Sequence, residues 1–171
     1  ELKEHNYKGI VAIKSTVKPT TTQRLKDETG LNMCFVPEFL RERCAYEDFV
    51  HNNNILIVGT DDNEVYSKIV ESHGTLPVHK VQIKPIEAEL VKYFSNTFLA
   101  VKVAYFNKMY DFCEKLNLNF DLVSNGVTLD SRIGKSHSKV PGVDGDRGFG
   151  GTCFPKDLNS LVVQMEKNEL D

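Results

Sequence analysis

The chain has 171 residues, which is enough for about one domain with a substantial buried core. Hydrophobic residues make up 40% and charged residues 26%, a composition typical of folded globular proteins that excludes a disordered tail. With 21 basic and 24 acidic residues the formal net charge is −3. Because no basic surplus is available to bind a phosphate backbone, we expect no nucleic-acid partner.

The sequence also gives expectations about cellular location. It contains no apolar run approaching the roughly 18 residues of a membrane span and no charged-then-apolar leader. Its four cysteines form no CxxC pair, and its five histidines have no metal-ligand spacing. We therefore expect reduced thiols, no metal site, no membrane partner and a cytoplasmic protein. Because the chain opens with Glu1 and not with Met, we expect it to be trimmed, processed or cut from a longer chain.

The first half of the chain alternates short apolar runs with polar segments of helical length. Strands are predicted at residues 9–15, 32–36, 54–59 and 76–79. Helices are predicted between them at residues 20–28, 38–50 and 61–73. This alternation predicts a parallel sheet with helices on its faces, like half of a doubly wound nucleotide-binding fold. The G-x-G-x-x-G turn that the first half of such a fold carries is absent from the sequence.

From Ile86 to Leu116 the pattern becomes that of one long helix. Apolar residues recur there in steps of three and four, at Leu90, Phe94, Phe98, Val101, Tyr105, Met109, Phe112 and Leu116. A second apolar row comprises Val91, Leu99, Val103 and Phe106. A helix roughly 45 Å long with two such rows exceeds what one small domain covers, so we expect a homodimer through it.

Two shorter helices and a loop follow the long helix. The helices are predicted at residues 120–130 and 157–169, and the loop, rich in glycine and proline, at residues 134–151. The predicted fold class is therefore α/β. It consists of the C-terminal half of a parallel Rossmann-like sheet followed by an all-α region with one long helix.

The segment from Gly148 to Asp157, GFGGTCFPKD, carries the strongest chemical pattern. Its glycines let the backbone approach a ligand, and Cys153 stands just before a predicted helix, where the helix dipole and Lys156 favour a thiolate. Asp157 follows Cys153 by four residues, so the two share a helix face if the helix begins near the cysteine. The pattern fits a nucleophile, and a buried thiol beside a glycine turn is the alternative.

Lys92 and Asn96 lie one turn apart on the otherwise apolar long helix. A half-buried lysine there can act as a base or as a cation beside a developing alkoxide, and the asparagine can donate to the same oxygen. The alternative is that both side chains belong to a solvated helix face.

Four further candidates lie near predicted strand ends or in turns. Glu38 and Glu42 stand at the predicted start of a helix after a strand, where ligands collect in open α/β sheets, and Thr16 ends the first strand. Helix capping by Glu38 and a simple turn at Thr16 are the alternatives. Arg132 can bind phosphate or serve only as a surface charge.

Six motifs, taken in their order along the chain, resemble the UDP-glucose/GDP-mannose dehydrogenase family. They are residues 14–17, 37–42, 89–96, 130–134, 140–145 and 148–157. The resemblance spans essentially the whole chain, from Gly9 to Leu161. The resemblance implies a four-electron oxidation of a sugar C6 alcohol to a carboxylate with NAD as cofactor, and UDP-glucose converted to UDP-glucuronate is the expected case.

The resemblance also implies roles for individual residues. Cys153 would capture the aldehyde as a thiohemiacetal that becomes a thioester, and Lys92 and Asn96 would stabilise the oxyanions. Asp157, Glu38 and Thr16 would orient or deprotonate the hydrolytic water. Contacts to NAD are implied for Thr16, Glu42 and Lys156. Contacts to the UDP-sugar are implied for Glu38, Phe39, Leu40, Arg41, Lys92, Asn96, Arg132, Gly142, Val143, Asp144, Gly145, Asp146 and Gly150. The counterpart of Arg132 often reaches across a dimer interface.

The chain departs from the family in extent. Family members have two nucleotide-type domains joined by the long helix. In this chain we expect a partial NAD-binding Rossmann-like domain at 1–84 and a central helical dimerisation and catalytic domain, with the cysteine loop, at 85–171. Three hypotheses follow: a partial or split dehydrogenase that works with a complementary chain, a sugar-nucleotide binding module without redox chemistry, or a dimerisation core. The catalytic hypothesis ranks first because Cys153, Lys92, Asn96 and Asp157 are all present.

Overall fold

The computed structural model describes residues 1–40, 44–51, 54–151 and 153–170. The strands are β1 (Ile10–Ile13), β2 (Asn32–Phe35), β3 (Ile55–Gly59) and β4 (His79–Ile83). The helices are α1 (Thr21–Thr29), α2 (Ala45–His51), α3 (Asn63–His73), α4 (Pro85–Lys115), α5 (Phe120–Thr128) and α6 (Cys153–Lys167). The chain divides into two compact units, Glu1–Lys92 and Tyr93–Asp171. The predicted class, a Rossmann-like α/β region followed by an all-α region, is confirmed.

The four strands form one sheet in the order β1-β2-β3-β4. The β1–β2 and β3–β4 pairs are parallel, as predicted. The central β2–β3 pair is antiparallel and consists of a single residue pair, Phe35 with Gly59. The expectation of a wholly parallel sheet is therefore wrong at this junction, because β2 and β3 meet only at their last residues.

Gly59 explains how closely the strand ends approach the long helix. A Cβ at this position would lie 2.7 Å from Cβ of Ala88, 3.0 Å from Cα of Pro85 and 3.2 Å from the Phe35 carbonyl oxygen. Any larger residue would force β2, β3 and the start of α4 apart. The first turn of α4 is thus packed directly against the ends of two strands.

Each unit has its own buried apolar cluster. In the first unit β2, β3 and α3 bury one face, made of Cys34, Val36, Leu56, Val58, Val65 and Ile69. In the second unit α4, α5 and the following loop bury Phe106, Cys113, Phe120 and Val140. The alternation along β3 and the helical spacing along α3 and α4 place these side chains inward.

Several element boundaries match the sequence. Gly30 and Gly74 follow the last residues of α1 and α3, both with φ of +69°. The Asp62 side chain accepts hydrogen bonds from the backbone N–H groups of Glu64 and Val65 at the start of α3. These signals are local, so the sequence alone could place them.

The segment after β2 differs from the prediction. Residues 37–40 are not helical, and α2 begins at Ala45 and not at Glu38. The Glu38 side chain accepts hydrogen bonds from the N–H groups of Phe39 and Leu40 at 2.9 and 3.1 Å. This local bonding competes with a helix, so Glu38 does not stand at a helix N-terminus.

The fourth strand also differs from the prediction, because it lies at His79–Ile83 and not at residues 76–79. All five of its residues pair in parallel register with β3, from Ile55 with His79 to Gly59 with Ile83. Because Pro77 has no backbone N–H, it cannot donate a hydrogen bond to a neighbouring strand. Residues 79–83 follow it and can pair with β3 along their whole length.

The last helix begins four residues earlier than predicted, at Cys153. Pro155 is then its third residue. The first four N–H groups of a helix have no intrahelical partner, so a proline there costs no hydrogen bond. Cys153 is therefore inside the first turn of α6 and not before it.

The long helix has one buried side and one exposed apolar row. The buried side includes Ala88, Glu89, Tyr93, Asn96, Ala100, Phe106 and Cys113. The exposed row is Phe94, Phe98, Val101, Tyr105 and Phe112 on α4 and Leu116 directly after it, each more than half exposed. Within the described part of the chain, no helix combines the length and the apolar character needed to cross a membrane.

Candidate functional site

Asp157, near the start of α6, is fully buried, and both of its oxygens have partners. Asn96 on α4 donates from Nδ2 to Oδ2 at 2.5 Å, and Lys156 donates from Nζ to Oδ1 at 2.5 Å. A buried carboxylate is costly unless its oxygens are bonded, so these two contacts hold Asp157 in one orientation. Two residues predicted as catalytic, Asn96 and Asp157, are thus brought together, along with Lys156.

Cys153 is the first residue of α6 and is exposed. Cys34 and Cys113 are buried and Cys44 is half-buried. Exposure excludes the alternative of a buried thiol for Cys153. Its place in the first turn puts the sulfur near the positive end of the helix dipole, and it precedes Asp157 by about one turn.

A second polar contact joins the same two helices. The hydroxyl of Tyr93 on α4 lies 2.9 Å from Oγ of Ser160 on α6, and Tyr93 is buried. Sequence reasoning missed this pair. The sequence does contain a sign of it. Tyr93 and Asn96 are three residues apart on α4, and their partners Ser160 and Asp157 are three residues apart on α6 in the opposite order. The two contacts together fix the register of α6 on α4.

An aromatic cluster covers the first turn of α6. The Phe154 ring lies 5.6 Å from the His137 ring and 6.4 Å from the Phe149 ring, measured between centroids. Phe149 belongs to the glycine segment before Cys153, so the segment packs on the helix that it leads into.

In the first unit, Lys92 near the start of α4 reaches back to the segment after β2. Its Nζ donates to the backbone carbonyl of Glu38 and lies 5.2 Å from the Phe39 ring centroid. The Glu38 carboxylate pairs with Lys14 Nζ at 3.1 Å. Lys92, Glu38 and Phe39, all predicted site residues, therefore meet, and Lys14 joins them although the sequence did not single it out for a role.

Glu89 is a second residue that sequence reasoning did not assign. It is fully buried, and its carboxylate accepts from Thr20 N at 2.6 Å, Thr22 N at 2.8 Å and Thr22 Oγ1 at 2.6 Å. Two N–H groups at the start of α1, those of Thr20 and Thr22, are thus bonded to a side chain of α4. Thr16 lies in the loop between β1 and α1, half-buried.

Arg132 lies in an exposed turn next to its own ion-pair partner. Its Nη2 is 2.5 Å from Oδ2 of Asp130, and its side chain is 88% exposed. The hydrogen bonds from Arg132 hold the pKa of the Asp130 carboxyl below its ordinary value. Lys102 on α4 donates to the carbonyls of Ile133 and Gly134 at 2.6 and 3.0 Å, and its partial burial lowers its pKa. The turn is therefore anchored to α4.

The predicted substrate residues from Gly142 to Asp146 form a closed turn. Gly142 N donates to the Asp146 carbonyl at 2.8 Å, and Gly145 N donates to the Gly142 carbonyl at 3.1 Å. The Asp144 carboxylate accepts from Asp146 N at 3.1 Å. Val143 is 65% exposed at the tip.

The remaining predicted residues are placed as follows. Leu40 follows Phe39 in the non-helical segment, and Gly150 lies in the glycine segment before Cys153. Arg41 and Glu42 lie outside the described residues. Among the residues that the structure does describe, no group of three His, Cys, Asp or Glu side chains could hold a metal ion.

A family model described as "UDP-glucose/GDP-mannose dehydrogenase family, central domain" matches residues 86–171, half of the chain. The chain belongs to the UDP-glucose/GDP-mannose dehydrogenase family. The resemblance found in the sequence motifs is thereby confirmed.

Known members of the UDP-glucose/GDP-mannose dehydrogenase family align with nearly the whole chain. UDP-glucose 6-dehydrogenase of Rickettsia prowazekii is 35% identical over 181 aligned residues, covering 99% of this chain and 39% of that protein. The Bacillus subtilis UDP-glucose 6-dehydrogenase is 35% identical over 163 residues, covering 90% of this chain and 35% of that protein. The solved UDP-glucose dehydrogenase of Pyrobaculum islandicum matches with a TM-score of 0.84 at 34% identity, covering 99% of this chain and 40% of that one. The chain thus spans about two-fifths of the length of these relatives.

Proposed function

We propose that this chain provides the cysteine, its supporting groups and part of the substrate site for the NAD-dependent oxidation of a UDP-sugar, with UDP-glucose oxidised to UDP-glucuronate. The observation that carries the proposal is the arrangement at the start of α6. An exposed cysteine occupies the first turn, and about one turn later a buried aspartate is held by Asn96 and Lys156. A nucleophilic thiol must be accessible to its substrate, and the helix that carries it must be held in place so that the sulfur is correctly positioned.

In this proposal the cysteine carries the covalent chemistry. Once the C6 alcohol has lost a hydride and its hydroxyl proton to become an aldehyde, Cys153 Sγ adds to the aldehyde carbon. The thiol proton passes to the carbonyl oxygen, which gives a thiohemiacetal. Loss of hydride and of the hydroxyl proton converts this to a thioester. Water then adds to the carbonyl carbon, and the C–S bond breaks to release the carboxylate and regenerate the thiol.

Charged and polar groups near the reacting carbon support these steps. The ammonium of Lys92 and the amide of Asn96 stabilise negative charge on the C6 oxygen. The family motifs that Asp157, Glu38 and Thr16 match support a role for each in orienting the hydrolytic water. In the described structure Lys92 donates to the Glu38 carbonyl and Asn96 donates to Asp157, so each donor is held in place before substrate arrives.

The fit of NAD to the described residues is incomplete. A dinucleotide needs free N–H groups at a strand-to-helix turn for its pyrophosphate. At the start of α1 the N–H groups of Thr20 and Thr22 are bonded to Glu89, and at the start of α3 those of Glu64 and Val65 are bonded to Asp62. NAD, when bound, accepts the hydrides, and Thr16, Glu42 and Lys156 are proposed to touch its nicotinamide end only.

The proposal includes the assembly and location of the protein. The apolar row of α4 supports a homodimer, because five large side chains on one face of the helix, and Leu116 directly after it, are each more than half exposed. The partial fit of NAD supports further protein, beyond the described residues, that completes the dinucleotide and UDP sites. The four free cysteines are consistent with a reducing compartment, and we propose the cytoplasm.

The alternative function is a sugar-nucleotide binding module or a dimerisation core without chemistry. Alkylation of Cys153 with iodoacetamide, followed by mass mapping, separates these functions when the C6 aldehyde of UDP-glucose is added. If Cys153 captures the aldehyde, the aldehyde slows its alkylation more than UDP-glucose does, and labelling of Cys44 is unchanged. Equal slowing by both ligands favours the binding module. Unchanged labelling of Cys153 at saturating aldehyde contradicts the catalytic proposal.

A further inference from the structure

Arg147, which directly follows the closed turn at 142–146, is attached to one turn of α4. Its guanidinium pairs with the Asp111 carboxylate and donates to the Asn107 carbonyl at 3.3 Å. Its Cζ lies 4.9 Å from the centroid of the Tyr110 ring. Tyr110 and Asp111 follow Asn107 by three and four residues, so the three partners lie together on the surface of α4. One side chain thus makes an ion pair, a hydrogen bond and a cation–π contact.

The backbone beside Arg147 is attached to the same turn. Gly148 N donates to Oδ1 of Asn107 at 2.9 Å, so Asn107 holds Arg147 through its carbonyl and Gly148 through its side chain. Gly148 has φ of +82°, a conformation that a side chain would strain.

The other end of the loop is held in the core of the second unit. Val140 is 5% exposed and packs with Phe106, Cys113 and Phe120. The segment from 140 to 148 is therefore anchored at both ends to α4 and its neighbours, with its own hydrogen bonds closing the turn between. A loop held in this way has lost most of its conformational entropy before any ligand binds.

We propose that Arg147, together with Asn107, is a positioning residue for the sugar nucleotide: it clamps the loop at 142–148 onto α4 so that the turn at 142–146 is preformed. This inference rests on the proposed function, which assigns that turn to the substrate. Arg147 itself acts through the loop, because its guanidinium is occupied by Asp111, Asn107 and Tyr110.

The test compares Arg147→Met with Arg24→Met in the 171-residue chain. Arg24 is a matched control, since it forms an ion pair of similar exposure with Glu28 inside α1, in the first unit. Amide exchange measured by NMR at Gly142, Gly145 and Gly148 reports the clamp. A titration with UDP-glucose, made in an assembly that supplies the remaining NAD and UDP sites, reports the substrate site.

In Arg147→Met we expect exchange of the three glycine amides to become about tenfold faster, because the loop opens locally. We expect the dissociation constant for UDP-glucose to rise about three- to tenfold, with a thermal midpoint no lower than that of Arg24→Met. In the swapped variant Arg147→Asp/Asp111→Arg the charge pair is restored. The glycine amides should then exchange more slowly, and UDP-glucose should bind more tightly, than in Arg147→Met. If Arg147 made only a structural surface contact, Arg147→Met would bind UDP-glucose as tightly as Arg24→Met does.

The outcomes separate this inference from the proposed function. Unchanged glycine exchange in Arg147→Met overturns the clamp. Faster exchange with undiminished UDP-glucose binding overturns the positioning role alone. Absence of UDP-glucose binding to the wild-type assembly that supplies the remaining NAD and UDP sites overturns the proposed function, and the loop's substrate role with it.

Discussion

Asn96 donates a 2.5 Å hydrogen bond from Nδ2 to Oδ2 of Asp157, and both residues are buried. The bond joins the long helix α4 to the start of α6, four residues after Cys153. Tyr93 and Ser160 add a second contact between the same helices. The position of the cysteine is therefore set by polar contacts between two helices as well as by the glycine segment that precedes it.

Asn96→Ala should destabilise the protein by about 1–3 kcal/mol, because one oxygen of a buried carboxylate loses its donor. The free energy of unfolding from urea titration measures the effect. Asn125→Ala is the matched control, since Asn125 is an exposed helical residue on α5. A loss in Asn96→Ala no greater than in Asn125→Ala would show that the bond to Asp157 contributes little.

Cys153 should be alkylated fastest of the four cysteines, since it alone is exposed. Cys34 should be slowest, because burial raises its pKa to about 11 and keeps the thiol protonated near neutral pH. Competitive alkylation at about pH 8 with mass mapping gives the order. Faster labelling at Cys34, Cys44 or Cys113 would contradict the assignment of Cys153 as the reactive thiol.

Cys153→Ser should stop formation of the sugar acid in an assembly that supplies the remaining NAD and UDP sites. A serine oxygen cannot form the thioester, whereas the binding groups are untouched, so UDP-sugar affinity should change less than about twofold. Product analysis and a binding titration measure the two effects. Full acid production by the serine variant would refute the covalent role of the sulfur.

Phe98→Glu should convert the proposed homodimer to a monomer, because it places a charge in the apolar row of α4. Sedimentation at micromolar concentrations gives the mass. Val78→Glu is the control, since Val78 and Phe98 are each 67% exposed and Val78 lies in the first unit, outside α4. A wild-type chain that sediments as a monomer would remove the argument for the dimer.

The 171-residue chain by itself should show no NAD-dependent oxidation of UDP-glucose and no thermal shift with NAD. Thr16, Glu42 and Lys156 are proposed to contact one end of the dinucleotide only, and without a pyrophosphate anchor the affinity should be about millimolar or weaker. Absorbance of NADH and a thermal melt test this directly. NADH formed by the purified chain would refute the incomplete-site proposal.

Local signals in the sequence were sufficient for most of the fold. The period of α4, the glycines after α1 and α3, and the Asp62 cap each depend on residues within a few positions of one another. The start of α2 and the position of β4 were predicted wrongly. The start of α2 depends on the hydrogen bonds that the Glu38 side chain accepts, and the position of β4 depends on which residues pair with β3.

The sequence by itself determined the chemistry available: a cysteine among glycines, a lysine and an asparagine one turn apart, and the ordered motifs of one dehydrogenase family. Only the tertiary structure decided which groups meet. Glu89 bonds to a backbone N–H 69 residues away, Asn96 to Asp157 61 residues away and Arg147 to Asp111 36 residues away. No local pattern encodes such pairs, because a side chain's partner across the fold is chosen by how buried faces pack and which polar atoms packing brings within hydrogen-bonding distance.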